Sequence, residues 1–143
     1  MATVELRFSA LPEHVRTARL VAAAVARRSG VDEAVLDEVR LAVGEACSRA
    51  VGLHQSGGIT APVKVSLIEE EKQFSIEVGD EAPRVAPGDR APGSGDIDAD
   101  AEEDEMGLAV ISGLVDDVEV TAGEHGGLIR MTWPTTPSAA TLG

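Results

Sequence analysis

Residues 35–51, VLDEVRLAVGEACSRAV, carry the clearest structural pattern in this chain. The apolar residues of this stretch recur three and four positions apart, which is the spacing of one face of an α-helix. They are Val35, Leu36, Val39, Ala42, Val43, Ala46, Cys47, Ala50 and Val51. Asp32 is placed to cap the helix at its start, and Gly57 with Gly58 should end it. The stretch therefore predicts a long amphipathic helix that covers a core.

Two further elements are predicted before this helix. Apolar and polar residues alternate from Val4 to Phe8, which is typical of a half-buried strand. Pro12 suits a first helical turn, and apolar residues then recur at helical spacing as far as Ser29, before Gly30. The chain should thus begin with a strand and a helix.

Strands dominate the second half of the chain. Alternating apolar residues predict strands at 63–69 and 74–79, with a polar hairpin turn between them. A short helix is predicted near residues 106–114, followed by strands at 118–121 and 128–133. The predicted order is strand, helix, helix, strand, strand, helix, strand, strand.

The stretch between the two halves has a different composition. Residues 81–105 contain nine acidic and two basic residues together with several prolines and glycines. Such a stretch buries little apolar area, so we expect a mobile acidic loop. We predict one domain over residues 1–133 and a disordered tail at 134–143.

Helices and strands do not alternate strictly, which argues against a parallel doubly wound sheet. The sequence predicts an α/β (α+β) two-layer sandwich. Its sheet should be mixed, mostly antiparallel, and carry its helices on one face.

Composition excludes several classes of function. The chain has 143 residues, 43% of them hydrophobic, and a net charge of −13. Such an acidic protein is poorly suited to direct nucleic acid binding, which requires clustered basic residues. No apolar run reaches the ~18 residues of a membrane helix. The lone Cys47 cannot form an internal disulfide, which agrees with a reducing compartment, and we expect a cytoplasmic protein with no membrane contact.

Five segments, taken in order, resemble those of one known superfamily. They are LAVGEACSRAV at 41–51, IEVGD at 76–80, MGLAVI at 106–111, LVDDVEV at 114–120 and GGLIRMTW at 126–133. Their order and spacing are similar to those of the histidine-kinase-like ATPase (Bergerat) fold. Within it, the chain resembles the bacterial anti-sigma factor serine kinases of the partner-switching type.

The resemblance implies a function and a set of partners. A member of this family holds a sigma factor away from RNA polymerase, typically as a homodimer. An anti-anti-sigma (STAS-type) protein competes for it, and active members phosphorylate a serine of that competitor with ATP and Mg²⁺. Phosphate therefore biases a competition between two protein ligands.

The resemblance also assigns roles to residues of the first two motifs. Glu45 matches the glutamate taken as the general base. Arg49 stands where the family has an asparagine that ligates Mg²⁺, and Asp80 matches the aspartate that meets the adenine amino group. Ala82 replaces the first glycine of the pattern Asp-x-Gly-x-Gly that follows this aspartate.

The third motif corresponds to the family's Gly-x-Gly-Leu pattern over the phosphates. Here it consists of Glu105, Met106, Gly107 and Leu108. Glu105 places a carboxylate where polyphosphate would lie, and two like charges repel each other. The predicted nucleotide-binding positions, in altered form, are therefore Arg49, Asp80, Ala82, Glu105, Gly107 and Leu108.

These replacements bear on the cofactor. An arginine offers no lone pair to a metal, and the chain contains no asparagine that could take its place. Glu45 and Arg49 stand at i and i+4, the favourable order for a helical ion pair. We predict that no cofactor is used, that ATP and Mg²⁺ belong to the family's active members, and that no metal site is present.

Three alternatives remain open from the sequence. The chain could be an active ATP-dependent serine/threonine protein kinase acting on its anti-anti-sigma antagonist. Arg49 could contact phosphate directly and permit nucleotide binding without metal. The chain could also be an adaptor that titrates another regulator and contacts no sigma factor.

Overall fold

Strands and helices account for most of the described chain. The structure, a computed structural model, describes residues 2–82, 109–115 and 117–135. The strands are β1 Ala2–Phe8, β2 Val63–Glu69, β3 Gln73–Asp80, β4 Asp117–Gly123 and β5 Gly126–Pro134. The two long helices are α1 Pro12–Ser29 and α2 Leu36–Ser56, and a 3₁₀ turn, Glu33–Val35, precedes α2. Residues 109–114 are also helical.

The strands form one sheet in the order β1-β2-β3-β5-β4, and each neighbouring pair is antiparallel. The predicted two-layer fold with helices on one face is confirmed. Among the described strands no parallel pair occurs, so the sheet is more regular than the mixed sheet that was expected. Tight turns produce this regularity between β2 and β3 and between β4 and β5, while β1 reaches β2 through both helices.

The core lies between the sheet and the helices. Alternate residues of β2 and β3 point towards the helices and are fully or almost fully buried. They are Val63, Val65, Leu67, Phe74, Ile76 and Val78. The facing side of α2 contributes small buried residues such as Ala42, Ala46 and Ala50, which allow the helix to approach the sheet closely. Trp133 of β5 stacks on Phe74 with a ring-centroid distance of 6.4 Å.

The helix boundaries mostly follow their sequence signals. α1 has the predicted bounds, and Gly30 ends it in the left-handed conformation with φ 100°. The start of α2 differs from the expectation. Asp32 accepts a hydrogen bond from the Ala34 N–H at 3.0 Å, so it caps the 3₁₀ turn, and α2 begins only at Leu36.

Other predicted segments fall largely outside the described residues. Of the acidic loop at 81–105, only the first two residues are described: Glu81 is exposed and Ala82 is buried. The predicted tail begins at residue 134, yet Pro134 belongs to β5, and the Thr135 N–H donates to the Lys72 carbonyl at 3.1 Å.

Cys47 is a core residue. Its side chain is fully buried on the sheet-facing side of α2, and this burial raises the pKa of the thiol to about 12. The thiolate is the reactive form of cysteine. Cys47 therefore packs as a small apolar residue and is chemically inert in the folded protein.

Glu69 links the end of α1 to the end of β2. Its carboxylate accepts hydrogen bonds from Arg28 Nη2 at 2.9 Å and from the Ser29 hydroxyl at 2.7 Å. These bonds, Arg28 first, lower the pKa of Glu69 below its usual 4.5. A carboxyl whose pKa is lowered by folding stabilises the protein above its unfolded pKa, and that contribution disappears as pH falls through the folded pKa.

We accordingly expect Glu69→Gln to be less stable than the parent at pH 7. The difference should shrink as the pH falls below about 4.5, because the parent carboxylate is then protonated as well. Urea unfolding of both proteins across the acid range measures the effect. Glu119→Gln, at an exposed position of β4, is the control. A difference that stays constant with pH would contradict this account of Glu69.

Candidate functional site

Asp80 is the last residue of β3, and it lies in the strand's core-facing row. This row is Phe74, Ile76, Val78 and Asp80, so the alternation that buries three apolar side chains also buries a carboxylate. The Asp80 side chain is only 2% exposed. A buried carboxylate requires hydrogen bonds and counter-charge, and its neighbours supply them.

The backbone turns sharply after Asp80. Asp80 Oδ1 accepts a hydrogen bond from the Ala82 N–H at 3.0 Å, and Ala82 is itself buried. A side-chain oxygen that bonds to the N–H two residues later closes an Asx turn. We call residues 80–82 the Asp80 corner.

His54, near the end of α2, holds this corner from the helix side. Its ring is fully buried, with Nδ1 2.9 Å from the Ala61 carbonyl oxygen and Nε2 2.9 Å from the Glu81 backbone nitrogen. A carbonyl can only accept and an amide N–H can only donate. The ring is therefore the neutral tautomer, with its proton on Nδ1 and the Glu81 N–H donating to Nε2.

The β4–β5 hairpin holds the corner from the other side. Gly126 adopts φ 123°, a conformation that side chains rarely permit. A Cβ at this position would lie 2.0 Å from the Asp80 carbonyl oxygen. Only glycine allows the hairpin to approach the corner so closely.

Arg49 reaches the corner from the middle of α2. Its side chain is 6% exposed, and its Nη1 lies 4.0 Å from Asp80 Oδ2. The neighbouring Ala46 and Ala50 are almost completely buried and small, which leaves room for the guanidinium beside the sheet. A buried cation and a buried anion thus face each other where α2 crosses the end of β3.

The helical ion pair expected between Glu45 and Arg49 is wrong. In the described part of the chain Glu45 makes no ion pair, because Arg49 turns inward to Asp80. Glu45 is half-buried and instead lines a groove of about 590 Å³ between α1 and α2. Arg16, Arg19 and Ser48 are among the other residues that line it.

Gly44 shapes this groove. A Cβ at residue 44 would lie 2.7 Å from Cδ of Arg19, so the arginine side chain crosses directly over the glycine. Arg19 is exposed, so its side chain covers Gly44 from the solvent side of the groove.

The arrangement can be tested against the nucleotide and metal that the resemblance implies. Mg²⁺ requires oxygen ligands, whereas residue 49 presents a guanidinium, which has only N–H donors. Asp80 Oδ1 is engaged by Ala82, and Oδ2 faces Arg49. The described residues therefore do not fit MgATP at this position.

The structure brings together three of the predicted site residues, Arg49, Asp80 and Ala82. Glu45 lies one turn earlier on α2 and faces the groove. Glu105, Gly107 and Leu108 lie outside the described residues. Across residues 2–82, 109–115 and 117–135, no three His, Cys, Asp or Glu side chains are grouped closely enough to hold a metal ion. No helix in these ranges is both long enough and apolar enough to cross a membrane.

Sequence reasoning missed two residues of the site, His54 and Gly126. His54 continues the apolar face of α2, since it follows Cys47, Ala50 and Val51 at helical spacing. A histidine in an otherwise apolar row signals a buried ring that needs two partners. For Gly126 no comparable signal exists, because its constraint comes from a strand far away in the sequence.

Comparison with known proteins gives three findings. Residues 8–133 match the family model of the histidine kinase-like ATPase domain. The chain is 27% identical over 134 residues to the serine-protein kinase RsbW of Bacillus licheniformis, and 30% identical over 136 residues to that of Bacillus pumilus (strain SAFR-032). Each alignment covers 90% of this chain and 83% of the relative.

Among solved structures, the chain is similar to the RsbU and RsbW domains of Rv1364c from Mycobacterium tuberculosis. The TM-score is 0.68 at 16% sequence identity over 96% of this chain. This chain spans 33% of that longer protein. At this identity the likeness concerns the fold.

Proposed function

Since this chain belongs to the histidine kinase-like ATPase domain family and is a homologue of the serine-protein kinase RsbW, we propose that it is an anti-sigma factor of the partner-switching type. In this proposal it is a cytoplasmic homodimer that sequesters a sigma factor. An anti-anti-sigma (STAS-type) protein releases the sigma factor by competing for the same regulator. The chain performs this role without MgATP.

Support for the partner-switching role comes from the family. The family match runs through nearly the whole described domain, and both Bacillus relatives align over 90% of this chain. A competition between two protein ligands needs only a shared surface and comparable affinities, and it needs no chemical step. The proposed role is therefore compatible with a site that has lost its cofactor.

The observation that carries the loss of MgATP is the pairing of Arg49 with Asp80. Both side chains are almost completely buried, and the charged groups lie 4.0 Å apart. Mg²⁺ bound at this point would meet a fixed positive charge at close range, in an environment where repulsion is poorly screened. A nucleotide base would find Asp80 Oδ1 engaged by the Ala82 N–H and Oδ2 facing the Arg49 guanidinium at 4.0 Å.

Calorimetric titration with ATP, in the presence and absence of Mg²⁺, tests the cofactor part of this proposal. We expect no saturable heat for the parent protein under either condition. Arg49→Asn restores the amide of the family's active members and is the matched variant. Saturable binding by the parent that requires Mg²⁺ would overturn the proposed independence from nucleotide.

The sequestration part has its own experiment. Candidate sigma factors from the source organism are mixed with core RNA polymerase, and transcription from a cognate promoter is measured as this protein is added. Stoichiometric inhibition, relieved by one STAS-type protein, is the expected result. Light scattering of the purified protein measures its oligomeric state. Failure to inhibit any sigma factor, with the dimer intact, would favour the adaptor alternative.

A second candidate function is an active serine protein kinase. The groove favours it, because Glu45 makes no ion pair in the described residues and faces an open space beside Arg16 and Arg19. A carboxylate that lines a groove can act as a general base when a substrate hydroxyl comes within hydrogen-bond reach of it. Transfer of labelled phosphate from ATP to a serine of a STAS-type protein, abolished in Glu45→Gln, would establish this activity.

A further inference from the structure

We propose that the Arg49 side chain is a built-in ligand of the Asp80 corner. Its guanidinium takes the place of an external ligand, so the buried carboxylate accepts planar N–H donor cations of the guanidinium or amidinium class. This inference rests on the loss of MgATP proposed above and deepens it. In this view Arg49 fills the ligand position beside Asp80, so the replacement at residue 49 completes the site instead of only disabling it.

Asp80 is a buried carboxylate at the end of an apolar row. A carboxylate at 2% exposure is costly unless it is paired, yet here it lies in an apolar row behind Phe74, Ile76 and Val78. Three separate segments hold its backbone: α2 through His54, the hairpin through Gly126, and its own Asx turn. The fold thus maintains a buried anion in a fixed place, which is the property of a binding site.

The guanidinium group of Arg49 suits this position by its shape. Guanidinium is planar and presents several N–H donors that suit a carboxylate, and here its Nη1 faces Asp80 Oδ2 as an ion pair at 4.0 Å. Arg49 delivers this group from α2, where the buried and small Ala46 and Ala50 lie three positions before it and one position after it. Arg49 supplies a positive charge beside the buried Asp80 carboxylate.

Removing the arginine tests the inference. We expect Arg49→Ala to lower the thermal midpoint by about 10 °C, because it leaves Asp80 buried and without this counter-charge. Methylguanidinium at low millimolar concentration, far below denaturing levels, should then raise the midpoint of this variant by about 3–5 °C through binding to the vacated position. The parent should show no such rise, because its site is filled.

Several controls distinguish the pairing of Arg49 with Asp80 from general effects on thermal stability. Arg40→Ala removes an exposed arginine of the same helix. Its thermal midpoint should stay close to that of the parent and should not rise when methylguanidinium is added. The double variant Arg49→Ala/Asp80→Asn should lose the rescue, since the neutral amide attracts no cation. Methylammonium at equal concentration controls for ionic strength and for the planar shape of the ligand. Rescue of the double variant to the same extent as Arg49→Ala would overturn the proposal.

Two further variants keep the proposal testable if Arg49→Ala does not fold. Arg49→Lys keeps the charge, and Arg49→Met keeps the length without it. The parent should have a higher thermal midpoint than Arg49→Met, and we expect Arg49→Lys to retain more than half of that difference. Equal midpoints for the two would contradict the counter-charge role, and so would stabilisation of Arg49→Ala by ADP but not by methylguanidinium. Nucleotide binding by the parent would instead contradict the proposed function. The midpoints of the Arg49 variants would still test the pairing of Arg49 with Asp80.

Discussion

Gly126→Ala should destabilise this protein by about 4 kcal/mol, a large effect for the addition of one methyl group. The new Cβ would lie 2.0 Å from the Asp80 carbonyl oxygen and 2.8 Å from Cα of Glu81. Both atoms are backbone, so no side-chain movement relieves the overlap. Holding an alanine at φ 123° costs about 1–3 kcal/mol, and overpacking typically costs a further ~1–3 kcal/mol.

Gly123→Ala is the matched control for this prediction. Gly123 lies across the same hairpin, where it pairs with Gly126, and an added Cβ there would meet no atom within 4 Å. Urea unfolding of the two variants and the parent gives the comparison. Similar free energies of unfolding for Gly126→Ala and Gly123→Ala would show that the hairpin does not press on the Asp80 corner as described.

Gly126→Ala should also disturb the Asp80 corner. If the hairpin is displaced, the Asp80 corner loses one of its three supports, and the position of the Asp80 carboxylate relative to Arg49 should relax. We therefore expect Gly126→Ala to lower the free energy of unfolding by more than disruption of the β4–β5 hairpin alone would. Combining it with Arg49→Ala should give less than the sum of the two single effects, since both act on one corner.

The second large effect is expected from His54→Ala, at about 2–4 kcal/mol. The ring is fully buried and bonds to two backbone groups, the Ala61 carbonyl and the Glu81 N–H. Removing it leaves both groups without their partner and opens a cavity in the core, and each of these costs free energy. His54→Gln, which keeps a polar side chain of similar reach, should lose less.

Amide hydrogen exchange gives a more specific readout than stability. In the parent, the Glu81 N–H is protected by its bond to Nε2 of His54. In His54→Ala this amide should exchange much faster, whereas amides in the middle of β3 should change only in proportion to the loss of global stability. His125→Ala, at an exposed position of the hairpin turn, is the control. Unchanged protection of Glu81 in His54→Ala would contradict the proposed contact.

These residues form a corner that α2, β3 and the β4–β5 hairpin hold in place. Asp80 supplies the charge, Arg49 the counter-charge, His54 a fixed backbone contact and Gly126 a close approach by the hairpin. Two of the four residues come from α2, which also presents Glu45 to the groove on its other side.

Sequence periodicity by itself determined the elements of this fold. The predicted bounds of α1 and β2 agree with the structure at both ends, because Pro12, Gly30 and the alternation of Val63, Val65 and Leu67 are local signals. Much of the candidate site was also predictable. Asp80 is the last residue of an alternating strand. Arg49 has only N–H donors, so its side chain cannot be a magnesium ligand.

The tertiary structure alone decided which groups meet. Spacing along α2 favoured an ion pair between Glu45 and Arg49, but packing of the helix on β3 turned Arg49 towards Asp80, 31 residues further along the chain. The contacts of His54 with Glu81 and of Gly126 with Asp80 likewise join segments that are distant in sequence. Periodicity reports which face of an element is buried. It does not report which buried group lies opposite, because that depends on how separate elements pack against one another.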